Sequence, residues 1–329
     1  MTTTIVEELY TVLDNGSQIL QDALNIPYIE AISEMGEVIF HQEVTHNIKE
    51  ESKQLVLDEL KKITDYEAIT NEEYRRAIQL AVLKGMKEAT QPHHAMTPDA
   101  VSLFIGYLVN KILGYDKKGE TAIILDQAVG SGNLLTAIMN QTEKSHGIGV
   151  EVDETLLKIA YTNANLQKHS VDLFHQDSVA TPTVKNVDII ASDLPIGFYP
   201  NDDIAKDFVL KSDEGHSFVH HLIIEQGFSH VKEGGFLVFL VPNFLFESQE
   251  AKKLHDFIKK EGVIYSFLQL PKSMFKNGQW GKSILILRKK KQGIKIPKEA
   301  LLVELPSFSN NSALTDMMNR ISKWFDSYL

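Results

Sequence analysis

The stretch Ile123–Leu135, IILDQAVGSGNLL, decides the fold. A hydrophobic strand ends at Asp126, Gly130 and Gly132 permit a tight turn, and a helix begins beyond them. In an open α/β sheet, that order sets main-chain amides and a carboxylate at the carboxyl edge, where nucleotide-like ligands bind. A dinucleotide fingerprint, G-x-G-x-x-G, would need glycine where Leu135 stands. Asp126, just before the turn, repels a pyrophosphate and favours a cationic ligand. S-adenosylmethionine (SAM), with its ammonium and sulfonium groups, suits this arrangement better than NAD.

Outward from this stretch, strand and helix periods alternate. Candidate strands are Ile123–Leu125, Gly147–Val152, Val171–Phe174, Val187–Ala191, Phe236–Val241, Ile264–Leu270 and Ser283–Leu287. Helical stretches separate the first five, which implies parallel crossovers. Pro271–Gly281 is too short and irregular for a crossover helix, so the last two strands read as an antiparallel pair closing a mostly parallel, seven-stranded α/β sheet. Upstream, Val6, Leu9, Val12 and Leu13 recur at helical spacing, as do Leu55, Leu57 and Leu60, then Ile78, Ala81, Val82 and Leu83. Gln91-Pro92-His93-His94 punctuates this region, because the residue before a proline disfavours helix. Thr97 then caps a helix with Pro98 in its first position and Val101, Phe104, Ile105, Leu108 and Ile112 on its apolar face. The expected division is a helical domain over 1–92, a sheet domain over 93–305 and a helical extension over 306–329.

Composition narrows the function classes. The chain of 329 residues has no cysteine, which excludes disulfides, thiolate catalysis and thiolate metal sites. No apolar run is long enough to cross a membrane, and the start has neither a basic nor an apolar leader segment, so a cytoplasmic protein without a membrane partner is expected. The net charge of −11 is unevenly spread. Residues 1–70 carry 14 acidic and 4 basic side chains, whereas residues 257–298 carry 11 Lys or Arg against Glu261 alone. That second strip includes Lys259, Lys260, Lys272, Lys276, Lys282 and Arg288 to Lys291, with Tyr265, Phe275 and Trp280 interleaved. It reads equally as a phosphate-tracking surface or as a lysine-rich sheet edge that blocks strand addition.

Several residues invite a role. Glu151 ends the second strand about twenty positions after the glycine turn, where a carboxylate holds a ribose diol. The alternative, capping the next helix, is a task Asp153 can perform. Asp177, just past the third strand, is placed to accept from an adenine amino group or to serve as a plain loop aspartate. Ser192-Asp193-Leu194-Pro195 follows the strand VDIIA. Its carboxylate either accepts from a substrate amine and aims the nitrogen lone pair at a methyl donor, or belongs to a local β-turn. His216, His220 and His221 fall on one predicted helix, but no H-E-x-x-H pattern accompanies them, so no metal is expected.

Together these residues resemble the N6-adenine DNA methyltransferases, closest to the modification subunit of type I restriction–modification systems. His94-Ala-Met-Thr-Pro98 is similar to the family's F-x-T-P element, and Asp126-Gln-Ala-Val-Gly-Ser-Gly132 to its D-P-A-C-G-S-G loop. Gly149-Val-Glu-Val-Asp153 is similar to its G-x-E-[IL]-D segment. The resemblance implies a class I SAM-dependent methyltransferase fold. It puts Thr97, Asp126, Ala128, Gly130 and Ser131 around the methionine end of SAM, with Gly132 and Asn133 beside them. It also implies Glu151 and Val152 at the ribose and Asp177 near the adenine. Asp193-Leu194-Pro195-Ile196 occupies the place of the catalytic [ND]-P-P-[YF]. The Asp193 side chain and the Leu194 carbonyl would hold the target amine, while Ile196 replaces the aromatic that stacks on a flipped base. DNA is the implied partner. No segment looks spacious enough for a target-recognition module, which points to a separate specificity subunit. Two other readings of the same residues are a non-catalytic SAM-binding scaffold and a glutamine-amide methyltransferase acting on a protein.

Overall fold

The computed structural model describes residues 4–88, 96–116, 119–180, 184–275 and 281–329. Helices α1 (Ile5–Leu24), α2 (Tyr28–His41), α3 (Glu50–Leu60) and α4 (Asn71–Glu88) form the N-terminal region, and α5 (Asp99–Asp116) leads into the sheet. The strands are β1 (Ala122–Asp126), β2 (Ser145–Glu151), β3 (Val171–His175), β4 (Val187–Asp193), β5 (Val231–Pro242), β6 (Gly262–Gln269), β7 (Lys282–Lys289) and β8 (Leu301–Glu304). Between them run α6 (Asn133–Met139), α7 (Glu154–Leu166), the short α8 (Asp202–Ala205), α9 (Val219–His230) and α10 (Ala251–Glu261). Helix α11 (Asn311–Tyr328) closes the described chain.

The eight strands stand in the order β3-β2-β1-β4-β5-β7-β6-β8. From β3 to β5 every pairing is parallel. Apolar runs such as Ile189–Ala191 are buried on both faces, as strands covered by helices on each side require. Ile189 and Ala191 face one core with α5, α6 and α11, while Ile190 faces a second core with α9 and α10. Strand β7 lies between β5 and β6 and runs against both. The expected antiparallel pair is present, but β7 is an interior strand.

Three local expectations differ from the structure. The sheet gains an eighth strand, β8, parallel to β6 at the edge. Its four residues alternate between half-buried and exposed and are too few to carry a periodic signal. Thr97 does not cap α5. The helix starts at Asp99, the Val101 and Ser102 amides bond to the Pro98 carbonyl, and the Thr97 hydroxyl is directed elsewhere. The basic strip divides by role. Arg288 is buried, its guanidinium 4.6 Å over the Phe236 ring and its Nε donating to the Gly234 carbonyl. Lys289 donates to the Phe228 and Val231 carbonyls at the end of α9, and Lys290 to the Lys259 carbonyl in the last turn of α10. These cations satisfy helix C-terminal carbonyls, whose partial negative charge attracts them. Because β7 is interior, they are not edge guards either. Lys276 and Trp280, with His93 and His94, lie outside the described residues.

The N-terminal helices share a core with the sheet domain. Leu156, Ile159 and Leu166 of α7 are buried in one cluster with Leu9, Ile32, Met35 and Val82. Helix α2 reaches α7 through Gly36, where a Cβ would fall 2.1 Å from the Thr162 Cγ2. Only glycine permits that approach. Gly36→Leu is therefore expected to destabilise the whole chain by about 1–3 kcal/mol through overpacking. Thermal unfolding measures this, and a single lowered transition distinguishes it from loss of the helical region alone.

Candidate functional site

A cavity of about 580 Å³ opens at the carboxyl ends of β1, β2 and β4. Its floor is the turn after β1. Gly130 (φ 53°) and Gly132 (φ 79°) take left-handed conformations that side chains resist. A Cβ on Gly132 would meet Ala160 of α7 at 3.2 Å, whereas one on Gly130 would meet nothing within 4 Å. The first glycine thus bends the turn, and the second also lets it lie against α7. Asn133, the first residue of α6, and Ser131 continue the wall.

Among the described residues, four carboxylates line this space. Asp126 is fully buried, and its Oδ1 accepts from the Ala128 amide at 3.1 Å. Burial, reinforced by the nearby Asp193 and Glu151 charges, pushes its carboxyl up to about 7. Glu151 is fixed by main chain. Its Oε2 accepts from the Gly130 amide at 2.9 Å, and its Oε1 accepts from Val152 and Asp153, each at 2.9 Å. Asp153 caps α7 by accepting from Leu156 at 3.0 Å, so the two neighbouring acids have separate tasks. Asp177 accepts from the Val179 amide at 2.8 Å and from the Tyr199 hydroxyl at 2.6 Å. Both of its oxygens therefore have protein partners, whether or not they also meet a ligand.

Asp193 ends β4 at the same edge. Its Oδ2 accepts from the Thr97 hydroxyl at 2.9 Å, and its Oδ1 is ion-paired with Lys282. Lys282 provides the one Lys or Arg side chain lining the cavity among the described residues. Its position follows from strand direction. Lys282 begins β7 and pairs with Pro242 at the end of β5, because an antiparallel strand starts where its neighbour finishes. Leu194 is buried and its amide bonds to the Leu240 carbonyl, whereas Pro195 and Ile196 are exposed. Two residues on, Phe198 is 63% exposed and stacks on Phe218 at 5.1 Å between ring centroids. Tyr199 is buried and tied to Asp177, so Phe198 supplies the aromatic face at the mouth.

The structure thus brings together Thr97, Asp126–Ser131, Asn133, Glu151, Val152, Asp177 and Asp193–Ile196 around one cavity, while Gly132 lies beneath the turn against α7. It separates the histidines. His216 precedes α9 and is exposed beside Asp202, while His220 and His221 lie buried within the helix. Burial pushes these two down to about 3 and about 4, so they pack as neutral rings. Sequence reasoning gave no site role to Lys282, nor to Met86 and Met96, which also line the wall. Lys282 stands in the basic strip, but nothing local distinguishes it from the helix-capping lysines nearby.

The residues present fit SAM. Two acids beside a glycine turn match an ammonium and a ribose diol, and the open Gly130 position permits close main-chain approach. The raised Asp126 carboxyl also has a sign. Its protonated form is favoured by folding, so its contribution to stability is full below the unfolded value near 4 and is lost as pH rises through about 7. Asp126→Asn is therefore expected to match the ligand-free wild type at pH 4. By pH 8 the variant should be the more stable, by up to about 4 kcal/mol for a shift of roughly three units. Denaturant unfolding across that range checks it.

Comparison with known proteins agrees with this geometry. A family profile described as N-6 DNA Methylase matches residues 85–327, and one described as the YtxK N-terminal helical domain matches residues 7–86. The uncharacterized protein YtxK of Bacillus subtilis (strain 168) is 46% identical over 323 residues, 97% of each chain. A crystal structure from Listeria monocytogenes, assigned to the class I SAM-dependent methyltransferases, superposes with a TM-score of 0.89 at 42% identity, covering 98% of this chain and 99% of that one. The type I restriction–modification methyltransferase subunit of Streptococcus thermophilus shares the fold, with a TM-score of 0.66 at 16% identity over 90% of this chain and 68% of that one. No helix among the described residues is long and apolar enough to cross a membrane. The chain belongs to the N-6 DNA methylase family, a SAM-dependent methyltransferase by family and fold.

Proposed function

We propose that this chain transfers the methyl group of SAM to an exocyclic amine, with adenine N6 in DNA as the acceptor. The observation that carries this reading is Asp193, a carboxylate oriented by Thr97 and Lys282 at the mouth of the cavity formed by Gly130 and Glu151. When bound, SAM supplies an electrophilic methyl carried on a sulfonium. The chain's own residues supply alignment. Asp126 would hold the ammonium, the amides of the glycine turn with Asn133 the methionine end, and Glu151 the ribose hydroxyls. Val152 would flank the ribose and Asp177 would accept from the adenine.

Asp193 accepts one N–H of the incoming amine, and the Leu194 carbonyl accepts the other. That aims the nitrogen lone pair at the methyl carbon. This nitrogen would take the methyl from bound SAM, which leaves as neutral S-adenosylhomocysteine, and the proton would pass from the alkylated nitrogen to solvent, so no strong base is needed. Catalysis is then mainly orientation. Phe198, instead of Ile196, offers a flat face to an extruded base. Lys272 follows the carboxyl end of β6 and, with Lys282, provides positive charge on the edge where a nucleic-acid backbone would approach. The acidic remainder of the chain favours a separate specificity subunit to hold DNA.

One observation favours a second acceptor class. Asp193 and Lys282 form an acceptor–donor pair, which complements a carboxamide through its N–H and its carbonyl oxygen. A glutamine side chain in a protein would satisfy both without base stacking.

The test incubates the protein with methyl-labelled SAM and separate pools of unmodified DNA, RNA and cell protein. The expected result is label in DNA as N6-methyladenine, with Asp193→Ala reducing transfer by about 100-fold or more while SAM affinity stays within about threefold. Label confined to protein amides would select the second acceptor. No label with SAM still bound would point to a binding protein or to an enzyme lacking its specificity subunit. Phe198→Ala is expected to lower kcat/KM for DNA by about 10-fold, the lower-to-middle range for one base–aromatic stack. SAM titration should leave it unchanged, and equal DNA methylation by the variant would remove Phe198 from the acceptor site.

A further inference from the structure

Besides Met86 on the cavity wall, helix α4 reaches the polar groups of the cavity through Arg75 and its contact with Asn133. Arg75 of α4 is fully buried, an unusual place for a guanidinium. Its Nη2 is 2.6 Å from both Glu72 and Asp99, and its Nη1 donates to the Asn133 Oδ1 at 2.8 Å. Asn133 lies in the cavity wall, immediately after Gly132. A guanidinium can only donate, so it must meet the amide oxygen of Asn133. That fixes the flip of the amide and directs Nδ2 at the Thr97 carbonyl and the Ser102 hydroxyl, each at 3.4 Å. Thr97 in turn donates to Asp193.

The result is a continuous chain, Arg75–Asn133–Thr97–Asp193, from the buried guanidinium to the half-buried carboxylate proposed to bind the acceptor. Asp99, at the start of α5, is tied to the same guanidinium. Both ends of the short Thr97–Asp99 segment are therefore referred to Arg75, one directly and one through Asn133. A Lys at position 75 would keep one charge but could not fork to Glu72, Asp99 and Asn133 at once.

We infer that Arg75 is a positioning residue for SAM binding: through Asn133 and Thr97 it lets the N-terminal helices set the geometry of the cofactor cradle. The inference rests on the Gly130–Glu151 cavity being the place of SAM. Coupling of this kind is reciprocal, so SAM must also stabilise the Arg75 end of α4.

The experiment uses the full chain, with SAM titrated calorimetrically into wild type, Arg75→Lys, Asn133→Ala and the double variant, each checked for folding by circular dichroism. Arg75→Lys is expected to weaken SAM about tenfold while the chain stays folded, and to add less than about twofold in the Asn133→Ala background. A folded Arg75→Lys protein with a lower unfolding temperature but wild-type SAM affinity would overturn the inference and leave Arg75 a purely structural residue. If that variant does not fold, amide exchange in the wild type decides. SAM should slow exchange over residues 71–79, the half of α4 away from Met86 on the cavity wall. Unchanged exchange there overturns the proposal. Glu151→Ala separates the two layers. Retained SAM affinity in it would remove the cavity from the cofactor's place and this inference with it. Lost affinity in Glu151→Ala beside normal affinity in Arg75→Lys would sink the inference alone.

Discussion

Strands β1 and β4 run side by side in parallel, with Leu125 opposite Ile190, and the chain leaves their ends in opposite directions. After β1 it crosses towards β2, and after β4 towards β5. The two connections diverge, so a crevice remains at the carboxyl edge that no hydrogen-bonded strand fills. Asp126 and Asp193 are the last residues of those two strands and face the same gap. Everything else about the site is a response to having two carboxylates there, with Glu151 arriving from β2 next door.

That concentration of negative charge in a partly dry space is costly unless each group is compensated. The chain compensates each one differently. Asp126 is buried deeply enough to favour its proton, Glu151 is held by three main-chain amides, and Asp193 receives Lys282 and Thr97. The antiparallel course of β7 matters for the last of these. A parallel strand in that position would begin at the opposite edge of the sheet, and its first residue could not reach Asp193. A cationic ligand beside Asp126 would favour its ionised form instead, consistent with the cofactor of the family.

The helical region is not an appendage beside this machinery. It shares a core with α7, touches it where Gly36 admits Thr162, and sends Arg75 to the residue that follows the glycine turn. The guanidinium is fully buried while its partners Glu72 and Asp99 keep contact with solvent, so losing either acid leaves a buried charge less well paired. Such a cluster specifies one relative placement of α4, α5 and α6 more sharply than apolar contacts could.

The sequence by itself determined the alternation of strand and helix, the parallel sheet, the glycine turn and the acids at strand ends. These are local signals: a period, a turn that needs positive φ, and a carboxylate where an apolar run stops. It identified Glu151 and Asp153 as neighbours with different tasks because one ends a strand and the other precedes a helix. Tertiary structure decided what no local pattern encodes. Lys282, Lys289 and Lys290 belong to one basic strip, yet strand direction sends the first into the cavity, and the other two lie against helix ends. Arg75 looks like any charged residue on an amphipathic helix until α5 and α6 close over it. Thr97 carries a cap signal that Asp193 outcompetes, and β8 exists only because β6 offers it an edge. The physical reason is common to all four cases. A side chain's role here is fixed by groups 24 to 96 residues away in sequence, and only the packed fold brings those groups within hydrogen-bonding distance.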